Sequence, residues 1–104
     1  MADVGLIINS LNIIANAQYQ GRAQSRKSLH QIAFERLQGS AQQVAAILTQ
    51  NPAPNADTRE NLQSQFDAMQ KDVNSYCTNT DGTHDIVRAF NNASVEWELL
   101  ASGR

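Results

Sequence analysis

Large apolar residues recur at intervals of three and four along most of the chain, which is the spacing of an amphipathic helix. The first run extends from Val4 to Ala15, while Leu6 and Ile13 lie off its main stripe. This helix is therefore apolar around much of its circumference, and such helices are usually buried on more than one side. The pattern predicts a first helix over about 3–20 that contacts more than one neighbour.

Three further runs follow the first one. Apolar positions extend from Leu29 to Leu48, then from Leu62 to Tyr76, then from Ile86 to Leu100, and the last two runs alternate steps of four and three. No stretch alternates with period two for long enough to form a strand. We therefore predict an all-α chain that forms a helical bundle of three to four helices, in a single domain over 1–104. The expected helices are about 3–20, 27–50, 58–77 and 84–101.

Two turn signals divide the second half of the chain. The segment 51–57 (Asn-Pro-Ala-Pro-Asn-Ala-Asp) carries both prolines, which remove backbone donors and disfavour helix in the residues before them. Asp57 lies three residues before Glu60, the capping-box spacing, so we expect Asp57 to cap the third helix. Asp81-Gly82 predicts a turn before the last helix. Because short linkers join antiparallel neighbours, the last two helices should form an antiparallel hairpin.

The first half of the chain contains only soft helix breakers, so residues 3–50 could form one long helix or two. Gly21 costs only about 1 kcal/mol inside a helix and does not decide the matter. An unbroken helix would span roughly 70 Å at about 1.5 Å per residue, which is long for a small domain. We favour a bend or break between residues 20 and 27.

Charge is absent from two long stretches, 4–21 and 37–56, where Gln and Asn supply the polar positions. Solvated helices usually carry Glu and Lys, which combine helix propensity with solubility. Either amides form the solvated surface here, or these stretches lie against protein or at a membrane interface. Leu, Ile, Val and Phe supply only 23 of the 104 residues, so the core of one chain is thin and an oligomer is mildly favoured.

A basic cluster separates the two uncharged stretches. Arg22 and Arg26 are four residues apart and share a face if the segment is helical. An acidic protein surface, anionic lipid, or the acidic region 57–98 of a second copy would complement it. Nucleic acid is not expected, because few charges are available and the net charge is −2. The candidate partner-binding residues are Leu6, Ile7, Leu11, Ile14, Arg22, Arg26 and Lys27.

Residues with catalytic or metal-binding potential are few and scattered. Cys77 is the only cysteine and has no base beside it in sequence. His30 is expected on a helix surface. His84 lies between Asp81 and Asp85, but a metal site needs about four convergent donors, so we interpret the acids as helix caps. Motifs for phosphate loops, metalloproteases and serine hydrolases are missing, and we expect no catalytic residue, metal or cofactor.

One turn resembles that of a known family. The segment Asn-Pro-Ala-Pro-Asn at 51–55, between two amide-rich helices, is similar to the proline-bearing helix-turn-helix hairpin of type III secretion needle and rod subunits. The likeness covers roughly 37–77, and the chain departs from it by adding the Asp81-Gly82 turn and a helix that contains Trp97. The resemblance implies an assembly of the filament type.

The sequence as a whole favours a non-enzymatic helical subunit of a larger assembly, such as a virion or a secretion apparatus, with a protein partner or further copies of itself. One alternative is a small adaptor, chaperone or inhibitor of one partner. Another is a membrane-active protein whose residues 4–19 contact the bilayer.

No window reaches the roughly 18 apolar residues of a membrane span. The N-terminus lacks the basic residues of a signal peptide. The location of the protein is left open between the cytoplasm and a virion or secreted assembly.

Overall fold

Four helices make up most of the chain in the computed structural model, which describes residues 3–19, 28–76 and 85–102. Within those ranges there is no strand. The all-α prediction is confirmed, with four helices rather than three in the described ranges. They are α1 (Val4–Ala15), α2 (Leu29–Gln50), α3 (Ala56–Tyr76) and α4 (Asp85–Ala101).

The helices surround the core as a ring of neighbours. Helix α1 packs against α2 and α4, α2 packs against α3, and α3 packs more loosely against α4. The indole N–H of Trp97, near the end of α4, donates to the Gln63 side chain near the start of α3 at 2.8 Å. These two helices therefore run antiparallel, and the predicted hairpin is confirmed.

The described part of residues 3–50 contains two helices, and the predicted break at 20–27 lies outside the described residues. Helix α1 ends at Ala15, five residues before the predicted boundary, and the longest dimension of the molecule is 43 Å. The amide nitrogen of Gln38 on α2 explains the early end, because it donates to carbonyl oxygens in and just after the last turn of α1. Its acceptors are Ile14, Ala15 and Ala17, at 3.3, 3.1 and 2.7 Å. In one long helix, these carbonyls would instead accept hydrogen bonds from backbone N–H groups of the next turn.

Short polar side chains begin three of the helices. Asp3 Oδ1 accepts from the Leu6 N–H at 3.0 Å, and Ser28 Oγ accepts from the Gln31 N–H at 3.1 Å. The third cap is Asn55, not the predicted Asp57. Each cap satisfies one of the backbone donors that a helix start leaves without a partner.

The predicted cap of α3 was wrong. Asn55 Oδ1 accepts from the Thr58 N–H at 2.9 Å, so Asn55 is the cap and α3 begins at Ala56. Asp57 lies inside the first turn, where its charge complements the helix dipole, and the capping box with Glu60 is not formed. Asn55 takes this role because it directly follows Pro54, the last residue that resists helix.

The buried side chains form one continuous core to which all four helices contribute. The predicted seams of α3 and α4 are buried, including Phe66 and Trp97. Leu29 was expected in the stripe of α2 but is 84% exposed, because it is the first residue of that helix and burial begins one turn later, at Ala33. The largest fully covered side chains are Trp97, Phe90, Ile7, Leu11, Ile14, Leu37, Leu48, Leu62, Met69 and Val44.

Candidate interaction surfaces

The apolar residues of α1 that were predicted to bind a partner divide into two groups. Ile7, Leu11 and Ile14 have no exposed surface, because α1 lies between α2 and α4 and its main stripe is covered within the chain. Leu6 stays at the surface. Of the four, only Leu6 is accessible to a partner while the bundle is folded.

The predicted basic residues, Arg22, Arg26 and Lys27, lie outside the described residues. The same holds for Cys77 and His84. Their proposed roles stay predictions.

Four exposed large apolar side chains lie on α1 and α4, two helices that pack against each other. We call this set the outer strip, and its members have exposed fractions of 38, 54, 60 and 39%: Leu6, Ile13, Val95 and Leu99. The backbone N–H of Asp3 donates to the Glu96 carboxylate at 2.8 Å, so the start of α1 lies beside the later part of α4. Leu6 lies three residues after Asp3, and Leu99 lies three residues after Glu96. Each is therefore about one turn from this contact along its own helix.

The other two members continue the outer strip along each helix. Ile13 lies seven residues after Leu6, two turns further along the same face of α1. Val95 lies four residues before Leu99 on α4. Ser10, which shares the face of Leu6 and Ile13, is buried, as expected of a small side chain where two helices approach closely. The sequence indicated Leu6 and Ile13 through their place off the main stripe, but it gave no signal for Val95 or Leu99.

His30 lies in an aromatic cluster, not on an open helix surface as predicted. Its Nε2–H donates to the Tyr76 carbonyl oxygen at 2.8 Å, and its ring stacks on Tyr76 with centroids 4.6 Å apart. In the neutral ring, Nδ1 accepts from the Tyr19 hydroxyl at 2.9 Å. Both nitrogens are thus used to hold α2 against α3 and against the residues after α1, which leaves none for a metal or a catalytic role.

A wide groove of about 850 Å³ separates the outer edges of α2 and α3. Arg36 and Asp72 meet in it as an ion pair with 3.2 Å between nitrogen and oxygen. The rest of its lining is polar or small: Gly39, Ser40, Gln42, Gln43, Ala68, Lys71 and Ser75. No large apolar or aromatic side chain lines this groove, so it offers little of the apolar contact that small-molecule sites use.

The carboxyl group of Asp72 responds to two opposed influences in this groove. Burial raises the pKa of Asp72 above its ordinary value of 3.8, because a low-dielectric surrounding disfavours the charged form. The guanidinium of Arg36 acts in the opposite direction through its charge and hydrogen bond, but does not cancel the effect of burial. The Asp72 side chain is 11% exposed and that of Arg36 is 65% exposed, so only the acid is desolvated.

A smaller cleft of about 140 Å³ lies between α3 and α4, where the two helices pack loosely. Phe66 and Trp97 stack in parallel beside it, with centroids 4.9 Å apart and 10° between their planes. Two exposed carboxylates, Asp67 and Glu98, also line it. The remaining lining residues are Gln63, Gln70, Phe90 and Ser94, so no basic side chain is among them.

Within the described ranges, no group of three or more His, Cys, Asp and Glu side chains converges, and no helix combines the length and the apolar character needed to cross a bilayer.

Comparison of the chain with protein-family models, with curated proteins and with solved structures finds no match.

Proposed function

We propose that this chain is a non-enzymatic helical subunit of a larger protein assembly, of the structural or interaction type that virions and secretion apparatuses contain. Its contact surface in this proposal is the outer strip. The observation that carries the proposal is the pairing of exposed Leu6 and Ile13 on a helix without any charged residue.

The composition of that surface supports a protein contact. Exposed apolar side chains that lie together mark interaction sites on soluble proteins, and the four of the outer strip all lie on the packed pair α1 and α4. The core of an interface is depleted in charged residues, and α1 has Asn9 and Asn12 as its exposed polar residues instead. Amides give solubility to the free subunit and lose less free energy than Glu or Lys when a partner covers them.

Membrane insertion of residues 4–19 is disfavoured by the packing of α1. To enter a bilayer, the helix would have to withdraw Ile7, Leu11 and Ile14 from the core, and the apolar surfaces of α2 and α4 that it covers would then be exposed to water. A small adaptor or inhibitor with one partner is compatible with the same outer strip. It differs from a structural subunit in staying monomeric when alone.

The test is the oligomeric state of the full chain over a concentration series, by light scattering or sedimentation velocity. We expect the native chain to self-associate or to capture an assembly partner, and the double variant Leu6→Ser, Ile13→Ser to stay monomeric. Leu6 and Ile13 are partly covered within the chain, so the free energy of unfolding should fall by about 1 kcal/mol per site, which leaves the fold intact.

Leu29→Ser is the matched control, because Leu29 is the most exposed large apolar residue described and lies on α2, away from the outer strip. It should leave association unchanged. A native chain that is folded and strictly monomeric at high concentration, and that captures nothing in pull-downs, would contradict the assembly role. Association that Leu29→Ser weakens as much as the double variant would show nonspecific apolar adhesion instead.

A further inference from the structure

We infer that a second copy of this chain covers the outer strip, with its α1 packed parallel to the first α1 and in register with it. The two copies are then related by a two-fold axis, the commonest symmetry of protein dimers. This pairing rests on the proposed role of the outer strip as a contact surface, to which it adds the identity and the orientation of the partner.

The exposed side of α1 carries residues at coiled-coil spacing. Leu6, Asn9 and Ile13 are all exposed and follow one another by three and four residues, so they form a second seam beside the buried main stripe. In a parallel pair in register, every seam residue faces its own copy. The two apolar residues then meet apolar residues, and the amide between them meets an amide.

Asn9 makes this seam complementary to itself. Its side-chain amide offers two donors and one acceptor, and within the described residues it has no hydrogen bond. Two facing asparagine side chains can therefore bond to each other, which two facing carboxylates or ammonium groups cannot do. A single asparagine in an otherwise apolar seam is a known means of fixing the register and the number of strands in a helical pair.

The charge pattern also favours an identical partner. Parallel pairing of identical helices brings each charged residue close to its own kind, and such like-charge contacts oppose association. Among the four described helices, only α1 has no charged residue, so only α1 can pair in this way without repulsion along its length. A strongly charged partner surface would find no counter-charge on α1.

The bundle prepares α1 for this contact. An isolated helix of 12 residues is marginal in water, whereas α1 is already held in helical form by its packing against α2 and α4. Pairing therefore does not have to offset the cost of forming the helix. The exposed Val95 and Leu99 on α4 add apolar surface on the neighbouring helix.

The first experiment places opposite charges at the seam of the full chain and measures dimerisation by sedimentation equilibrium at constant ionic strength. Asn9→Asp and Asn9→Lys should each weaken dimerisation by roughly tenfold or more, because each sets like charges face to face. An equimolar mixture of the two variants should recover an affinity within about threefold of the native chain. Gln42→Glu and Gln42→Lys, at an exposed amide of α2, are the matched controls and should stay within about twofold, alone and mixed.

The second experiment measures the orientation of the pair by disulfide formation. Cys77 is the only native cysteine, so Leu6→Cys and Ile13→Cys are made in a Cys77→Ser background. In the parallel pair, each variant should form a disulfide with its own copy. The mixed Leu6→Cys to Ile13→Cys disulfide should be absent by mass spectrometry, because seven residues span about 10 Å of helix and a disulfide needs Cα atoms within about 7 Å. Gln42→Cys is the control and should stay reduced in the same redox buffer.

Three results would contradict the pairing. One is a native chain that stays monomeric but captures another protein, with capture lost in Leu6→Ser, Ile13→Ser; the assembly role would then stand with a different partner. Another is a dimer that needs Leu6 and Ile13 but is unaffected by Asn9→Asp. The third is a mixed disulfide that forms in preference to the two symmetric ones, which would make the helices antiparallel. A monomeric chain that captures nothing would contradict the assembly role as well.

Discussion

At the scale of single residues, polar side chains in half-buried positions connect the helices. His30 uses both ring nitrogens, toward Tyr19 and the Tyr76 backbone, and Arg36 pairs with Asp72 across α2 and α3. Periodicity analysis treats such positions as solvent-facing, because it scores apolar residues only. The contribution of these polar side chains to the free energy of unfolding depends on their environment, and for Asp72 it also depends on pH.

Asp72 provides a pH test. Burial raises its pKa in the folded chain above 3.8, so the folded state holds the proton more tightly than the unfolded state. Its stabilising contribution is therefore complete below about pH 3.8 and is lost as pH rises through the folded-state pKa. Arg36→Gln should raise that pKa further and lower the free energy of unfolding at neutral pH by roughly 0.5–1 kcal/mol, a small value because Arg36 is solvated.

Urea unfolding of the native chain and Arg36→Gln over a pH series measures this effect, and the difference between them should shrink toward acidic pH. Lys71→Gln is the control, since it removes a positive charge from the same groove without breaking the ion pair. In the Asp72→Asn background, the effect of Arg36→Gln should largely disappear. An Arg36→Gln effect that is constant with pH would contradict the assignment to Asp72.

At the scale of the element, the length of α1 is set by a residue of another helix. Its own sequence continues with Asn16, Ala17 and Gln18, none of which forbids helix. The Gln38 amide on α2 instead takes the carbonyls of Ile14, Ala15 and Ala17. The chain can then leave α1 and place Tyr19 on the aromatic cluster around His30.

Gln38→Ala tests this account of the end of α1. The variant removes the side-chain donor shared by three carbonyls, of which Ile14 keeps the Ala17 N–H, and we expect a loss of about 1–2 kcal/mol in the free energy of unfolding, measured in urea. Gln42→Ala makes the same change one turn later on α2, at an exposed position, and should cost less than about 0.5 kcal/mol. Equal effects of the two substitutions would mean that Gln38 contributes only helix propensity.

At the scale of the whole molecule, α1 is an integral part of the bundle. It contacts both α2 and α4, and three of its side chains have no exposed surface. A helix in that position unfolds together with the rest of a small domain, because its removal would expose the core on two sides. This property separates a folded subunit from a protein that releases its N-terminal helix.

Leu11→Ala measures this coupling. We expect the free energy of unfolding to fall by about 2–5 kcal/mol, and the transitions followed by Trp97 fluorescence and by far-UV circular dichroism to shift together. Leu29→Ala is the control at an exposed leucine and should change stability by less than about 0.5 kcal/mol. A Trp97 transition that does not move in Leu11→Ala would show that α1 is independent of α4.

The sequence by itself determined the helical character of the chain and the approximate places of its helices. Four apolar stripes, the proline segment at 51–57 and the seams of α3 and α4 are local patterns, and local patterns persist in the folded chain because helix periodicity and turn chemistry act over a few residues. The seam residues from Leu62 to Tyr76 are buried as predicted. The hairpin of α3 and α4 also followed from local signals, through its short linker.

Only the tertiary structure decided which surfaces are free. Periodicity placed Ile13 off the main stripe, but it could not say that Ser10, a polar residue of the same face, would be buried while Ile13 stays more than half exposed. The end of α1 depends on Gln38, which is 24 residues from Ile14, and the cleft depends on Gln63 and Trp97, which are 34 residues apart. Burial and cleft shape arise from such distant contacts, and no pattern within a single helix encodes them.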